Sequence, residues 1–181
     1  MTCYTTDFAS PLGKLHIVVD ERDRLVRIGF PETKHPKTAG RDTTESPRHC
    51  AEVVKQLRQY FAGTRREFDL TLAPAGTEFQ LGAWRALRRI PFGHTASYLE
   101  QAQMLGNPKA VRAVGQANGR NPIPIVVPCH RVIGKDGSLT GFGGGLSTKD
   151  WLLAHEARVR RLGSDPVGGE PRRRSRAGAC A

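Results

Sequence analysis

A chain of 181 residues can hold one large domain or two small ones sharing an interface, with enough buried surface for a real core. No apolar run approaches membrane-spanning length and the N-terminus lacks a basic-then-apolar signal pattern, so a soluble, cytoplasmic protein is expected. The formal net charge of +11 fits a polyanionic partner, because Lys and Arg release condensed counterions from phosphates, though charge alone fits a solvated positive face equally well.

Residues 13–20 and 24–30 read as strands separated by a turn at 21–23, and residues 31–45 read as a polar loop. Ser46-Pro47 is expected to open a helix, with Ser as N-cap and Pro at the first helical position. Cys50, Val53, Leu57, Tyr60 and Phe61 share one face of that helix and Gly63 ends it, which makes Cys50 a small buried hydrophobe. The remaining cysteines, at 3, 129 and 180, show no close pairing and are expected to be free thiols in a reducing compartment; no Cys/His group has zinc-ligand spacing.

A second unit begins near residue 74. Thr77-Glu78-Phe79-Gln80 fits a capping box for a helix whose buried stripe is Phe79, Ala83, Leu87 and Ile90, with Arg85, Arg88 and Arg89 off it. Pro91-Phe92-Gly93 stops the helix. A helix–turn–helix pattern follows: residues 97–105, the turn Gly106-Asn107, and a helix from Pro108 to about Asn118. Ala110, Val111, Ala113, Val114 and Ala117 share an apolar arc, while Lys109, Arg112 and Gln116 group opposite it. Alone, this is an ordinary amphipathic helix packed on a core. Lys135-Asp136-Gly137-Ser138 carries a hairpin signal, and Gly141 with Gly143, Gly144 and Gly145 makes a loop that a ligand can approach closely. Ser147 is expected to cap the last helix, with Asp150 three residues on. From Gly163 the chain turns Gly-, Pro- and Arg-rich, as a flexible basic tail. The expected division is 1–73, 74–162 and a tail at 163–181.

Chemistry concentrates at Pro128-Cys129-His130-Arg131. A free thiol has a pKa near ~8.5, so a nucleophilic cysteine needs a base or positive surroundings, and His130 and Arg131 are adjacent candidates. Adjacency alone is weak, since neighbouring side chains often point apart. The last helix adds independent weight. Glu156 falls inside the apolar arc marked by Leu152, Leu153, His155 and Val159, whereas Arg158 and Arg161 point outward. A carboxylate facing a core needs a partner, and a histidine is the natural one.

The motif sits in a longer string. Asn118-Gly119-Arg120-Asn121-Pro122-Ile123 precedes it, and Val132-Ile133-Gly134, the glycine loop and Trp151-Leu152-Leu153-Ala154-His155-Glu156 follow. From about Thr77 to about Glu156 the chain resembles the O6-alkylguanine-DNA alkyltransferases, with a weaker likeness at Ser10-Pro11-Leu12-Gly13-Lys14-Leu15. The resemblance implies an α/β N-terminal domain (small sheet plus helix, ribonuclease-H-like) followed by a mostly α-helical C-terminal domain with a helix–turn–helix. It implies irreversible, single-turnover transfer of an alkyl group from O6-alkylguanine in duplex DNA to Cys129, with O4-alkylthymine a second candidate substrate. His130 matches the water-mediated base, Glu156 the acid that orients it, Asn121 the brace of the cysteine turn, and Tyr98 the hydrogen-bond donor to the base. Arg112 matches the residue that fills the gap left by the flipped nucleotide, with Lys109, Ala113, Gly115 and Gln116 beside it in the minor groove. Tyr98, Pro124, Val127, Phe142 and Gly143 match the alkylguanine pocket. The resemblance further implies a monomer with no cofactor and no metal, in the cytoplasm and, in a bacterium, at the nucleoid.

Three residues depart from the family pattern. Val111 stands where alanine is usual, Gln101 occupies a position usually apolar, and Phe142 replaces a common pocket tyrosine. Two other readings compete: a non-catalytic protein that flips and flags alkylated bases, against which Cys129 is present, and a helix–turn–helix regulator, against which the recognition helix lacks base-reading side chains.

Overall fold

The computed structural model describes residues 2–31 and 42–163. The expected basic tail and most of the expected polar loop at 31–45 lie outside the described residues. The N-terminal domain is a four-stranded sheet in the order β3-β2-β1-β4, built from β1 (Cys3–Ser10), β2 (Gly13–Asp20), β3 (Leu25–Gly29) and β4 (Thr43–Glu45). The two expected strands are β2 and β3, joined antiparallel with an irregularity at Val18/Val19. β1 makes a hairpin with β2 that pairs Ser10 with Gly13, where φ is +90°. β1 and β4 were not foreseen. β4 is three exposed residues paired parallel to β1, too short and too polar to leave a periodic signal.

Helix α1 (Ala51–Phe61) packs Val53, Leu57 and Tyr60 into the core, and Cys50 is fully buried as expected. The expected start at Ser46-Pro47 is wrong. The Ser46 amide donates to the Thr5 carbonyl, so its backbone continues the sheet, and the helix begins at Ala51 with no side-chain cap.

The C-terminal domain is helical. α2 (Glu78–Leu87) carries the predicted capping box, with Thr77 and Gln80 satisfying each other's backbone amides. Its buried face is Ala83, Trp84, Ala86 and Leu87, whereas Phe79 is exposed. The Trp84 indole donates to the Ala117 carbonyl at 2.9 Å, and this cross-helix bond sets which side of α2 faces inward. β5 (Ala96–Ser97) leads into α3 (Tyr98–Met104), capped by a second reciprocal box between Ser97 and Glu100. A single 3-10 turn, Pro108–Ala110, precedes α4 (Val111–Gly119). Only Val114, Ala117 and Asn118 of α4 are buried; Ala113, expected in the apolar arc, is exposed.

β6 (Val132–Ile133) pairs parallel with β5. The Asp136-Gly137 signal forms a closed turn without a hairpin: Asp136 Oδ1 accepts from the Ser138 amide and hydroxyl, satisfying the turn locally. α5 (Leu146–Leu162) starts after Gly145 at φ +86°, so Ser147 lies inside the helix and does not cap it. One hydrophobic core joins the two halves, with Leu15, Ile17 and Leu25 of the sheet, Leu57 and Tyr60 of α1, Ile123 and Ile125 near the cysteine, and Leu152 of α5. Among the described residues, no helix is long and apolar enough to cross a membrane.

Candidate active site

The chain from Ile123 to Arg131 is buried, turned by its own backbone bonds and braced by the Asn121 side chain. Asn121 Oδ1 accepts from the Ile123 amide at 3.0 Å, which orients Nδ2 toward the Val127 carbonyl at 2.7 Å and Cys129 Sγ at 3.2 Å. Ile125 adopts φ +74°, a conformation rare for a β-branched residue, and is fully buried. Cys129 opens a 3-10 turn with His130 and Arg131, which sends the His130 and Arg131 side chains inward to α5. Adjacency in sequence thus becomes a common site.

Glu156 receives them. Its Oε1 accepts from His130 Nε2 at 2.8 Å, from Tyr60 Oη at 2.8 Å and from Arg131 Nη2 at 3.0 Å. Its Oε2 accepts from Arg131 Nε at 3.0 Å and from the Gly93 amide at 2.8 Å. Together these donors saturate the carboxylate's lone pairs. Burial by itself would raise the Glu156 carboxyl, but His130 and Arg131 outweigh it and hold the group well below the usual carboxylate range. It is therefore an anion at neutral pH.

An anionic Glu156 fixes the histidine tautomer. The His130 Nε2–H donates to it, so the other nitrogen, Nδ1, is the unprotonated one. Nδ1 is buried and has no hydrogen-bond partner among the described residues. Burial keeps the imidazole below its ordinary value, opposed by Glu156, so the ring is neutral at neutral pH. The Cys129 thiol is 5% exposed. Burial pushes it up to about 11, against the lowering action of the Asn121 amide and the Lys149 charge. At rest the site holds a neutral thiol beside a neutral base.

Lys149 is a second buried cation here. Its Nζ donates to the Val132 carbonyl at 2.6 Å and the Thr140 carbonyl at 2.7 Å, tying the segment after the cysteine to the glycine loop. Tyr98 Oη donates to the same Thr140 carbonyl at 3.0 Å. Lys149, Tyr60 and the double engagement of Arg131 with Glu156 were not foreseen. Lys149 did leave a signal: it precedes Leu152 by three residues and Glu156 by seven, on the same inward stripe of α5.

A cavity of about 430 Å³ opens beside Cys129. Its walls are Arg27, Ile28, Gly29 and Phe30 of the N-terminal sheet, the chain from Asn118 to Pro122, Pro124, and the loop residues Phe142, Gly143 and Gly144. Pro124, Phe142 and Gly143 thus line it as expected. Val127 does not; its side chain faces a separate hollow with Trp84 and Leu81, and only its carbonyl serves the site, as acceptor for Asn121. Tyr98 also lies off this lining, at the Thr140 end of the glycine loop. The wall from β3 was missed because nothing local in that strand shows what lies across from it. Phe30 and Phe142 pack at 5.7 Å, and a Cβ at Gly144 would come within 2.7 Å of Phe30.

The outer face of α4 meets this cavity at its C-terminal end. Lys109, Arg112, Ala113 and Gln116 are exposed, Gly115 is half-buried near the Tyr98 ring, and Asn118, Gly119 and Arg120 run into the cavity wall. Gln101, the polar residue in an expected apolar slot, is fully buried and paired with Asn118 and the Ala83 carbonyl. Among the described residues, no group of three His, Cys, Asp or Glu side chains could hold a metal ion.

Residues 3–74 match the ribonuclease-like domain, and residues 78–158 the DNA-binding domain, of 6-O-methylguanine DNA methyltransferase. The chain is 57% identical over 149 residues to a methylated-DNA–protein-cysteine methyltransferase of Mycolicibacterium paratuberculosis, covering 82% of this chain and 89% of that one. It is 47% identical over 153 residues to its namesake from Methanosarcina acetivorans, covering 84% and 97%. The solved structure of Mycobacterium tuberculosis O6-methylguanine methyltransferase superposes with a TM-score of 0.80 at 40% identity, covering 92% of this chain and 96% of that one. That of Mycobacterium tuberculosis OGT in complex with DNA gives 0.78 at 43% identity, covering 88% and 94%. Both domains match in order and nearly end to end, and the chain belongs to the 6-O-methylguanine DNA methyltransferase family.

Proposed function

We propose that this protein repairs alkylated duplex DNA by moving the alkyl group of O6-alkylguanine to Cys129. The observation that carries the reading is the buried His130–Glu156 pair next to Cys129: Glu156 fixes the ring through Nε2, and His130 Nδ1 is left without a partner among the described residues. His130 takes the thiol proton through a bridging water, and the sulfur attacks the alkyl carbon. The C–O6 bond breaks, its electron pair goes to guanine, and the guanine anion takes up a proton at N1 from water while His130 returns the thiol proton to water. Tyr98 would have to turn its hydroxyl from the Thr140 carbonyl to donate as charge moves onto the guanine, while Lys149 and the Asn121 amide favour the thiolate as it forms. The product S-alkylcysteine is a thioether and a poor leaving group, so each molecule acts once.

The exposed face of α4 is the DNA contact in this reading. Small Ala113 and Gly115 let the helix approach the minor groove, Lys109 and Gln116 meet the backbone, and Arg112 fills the stack after the base is extruded. Extrusion costs a few kcal/mol of stacking and pairing, roughly, which Arg112 and the cavity contacts offset. The protein acts as a monomer, in the compartment that holds the DNA. The test is Cys129→Ala, which should bind O6-methylguanine duplex as the wild type does and transfer nothing. Transfer that persists in this variant would refute the assignment.

A further inference from the structure

Tyr60 lies in the N-terminal domain, near the end of α1, yet its phenol reaches the catalytic carboxylate. Tyr60 Oη donates to Glu156 Oε1 at 2.8 Å, the same oxygen that accepts from His130 Nε2. The residue is held from both sides. Its carbonyl accepts from His155 Nε2 at 2.9 Å, so α1 is pinned to two consecutive residues of α5. Its ring packs edge-on against Phe92 at 6.0 Å, one residue before the Gly93 amide that binds the other carboxylate oxygen. A phenylalanine would satisfy every one of the ring contacts. The hydroxyl adds one thing, a hydrogen bond to the oxygen that orients the base.

We propose that Tyr60 is a positioning residue of the cysteine-activating network, through which the N-terminal domain takes part in the chemistry. This rests on the alkyl-transfer reading above. Oε1 is shared by three donors, His130 Nε2, Arg131 Nη2 and the Tyr60 phenol, and the phenol's share has two consequences. The phenol stops the carboxylate from turning away from His130, and it draws electron density from Oε1 that the imidazole would otherwise use. The charged and titratable groups that face His130 and that oxygen are Arg131 from the cysteine turn, Tyr60 from α1, and Lys149 of α5, with His155 of α5 bonded to the Tyr60 carbonyl.

The experiment is Tyr60→Phe, assayed in single turnover at saturating O6-methylguanine duplex and with free O6-benzylguanine, with thermal unfolding measured alongside. The rate constant should fall about tenfold on both substrates, a fraction of the roughly 10²–10⁴ that a positioned base supplies, with the Kd for DNA unchanged. The acid limb of the rate should move to higher pH, because His130 becomes more basic when Oε1 loses the phenol and keeps only Arg131 beside the imidazole. In a Glu156→Gln background the same change should cost nothing further. A rate constant and acid limb equal to wild type, with only the melting temperature lowered, would overturn the proposal and leave Tyr60 a core residue. Wild-type protein that fails to alkylate Cys129 would overturn the underlying reading instead.

Discussion

Gln101 and Asn118 hold each other by a reciprocal pair of amide hydrogen bonds, 3.0 Å and 2.7 Å long, at a place sealed from solvent. Gln101 Nε2 also donates to the Ala83 carbonyl at 3.1 Å, so one side chain on α3 ties α2 to the last turn of α4. Gln101→Leu would strand the buried Asn118 amide, and the expected loss is about 1–3 kcal/mol of unfolding free energy. Replacing both by leucine should recover part of it, since no polar group is then left alone. Chemical denaturation of the three variants checks this; a single variant as stable as wild type would show that the pair contributes nothing.

Stability should fall on acidification through Glu156. Its folded carboxyl lies well below the usual range, because His130 and Arg131 outweigh the opposing effect of burial. The unfolded chain takes up a proton near pH ~4.3, where the folded protein does not. Below about pH 5 the unfolded state therefore gains protons first and stability declines. Glu156→Gln should be less stable at neutral pH, because Arg131 loses its anion, but should show a flatter melting-temperature profile from about pH 5 down to 3. Parallel profiles would show that Glu156 does not carry the acid sensitivity.

His130→Ala and Glu156→Gln should each slow alkyl transfer by about 10²-fold. Because the imidazole acts only in the tautomer that Glu156 imposes, the double variant should be little worse than the poorer single one. Single-turnover rates of the four proteins decide this. Losses that multiply would mean that the two residues act separately.

Arg112→Ala should weaken reaction with duplex DNA about tenfold or more while leaving reaction with free O6-benzylguanine near wild type, since a free base leaves no stack to fill. Arg112 is exposed on α4 and does not line the cavity at Cys129, so its loss should spare the chemistry. Equal losses on both substrates would assign it to the fold.

The site was legible wherever the signal was local. Glu156 could be read as inward from helical spacing alone, and the capping box at Thr77 needs only four residues. What escaped depends on contacts distant in the chain. Tyr60 meets Glu156 from 96 positions away in the chain, and the wall that β3 lends to the cavity comes from another domain. Ser46 and Ser147 show the converse failure. Each has the right residue type to cap a helix, but the sheet claims the backbone of one and Gly145 already starts the helix of the other. Phe79 was given to the core by its period and lost that place to Trp84, whose bond to Ala117 no periodicity reports.

The most direct measurement is the mass of the intact protein after exposure to excess O6-methylguanine duplex, followed by peptide mapping. The account predicts a gain of one methylene per molecule, located on the peptide that contains Cys129 and not increasing with time once every molecule has reacted. An unchanged mass, or a methyl group found on Cys3, Cys50 or Cys180, would contradict it.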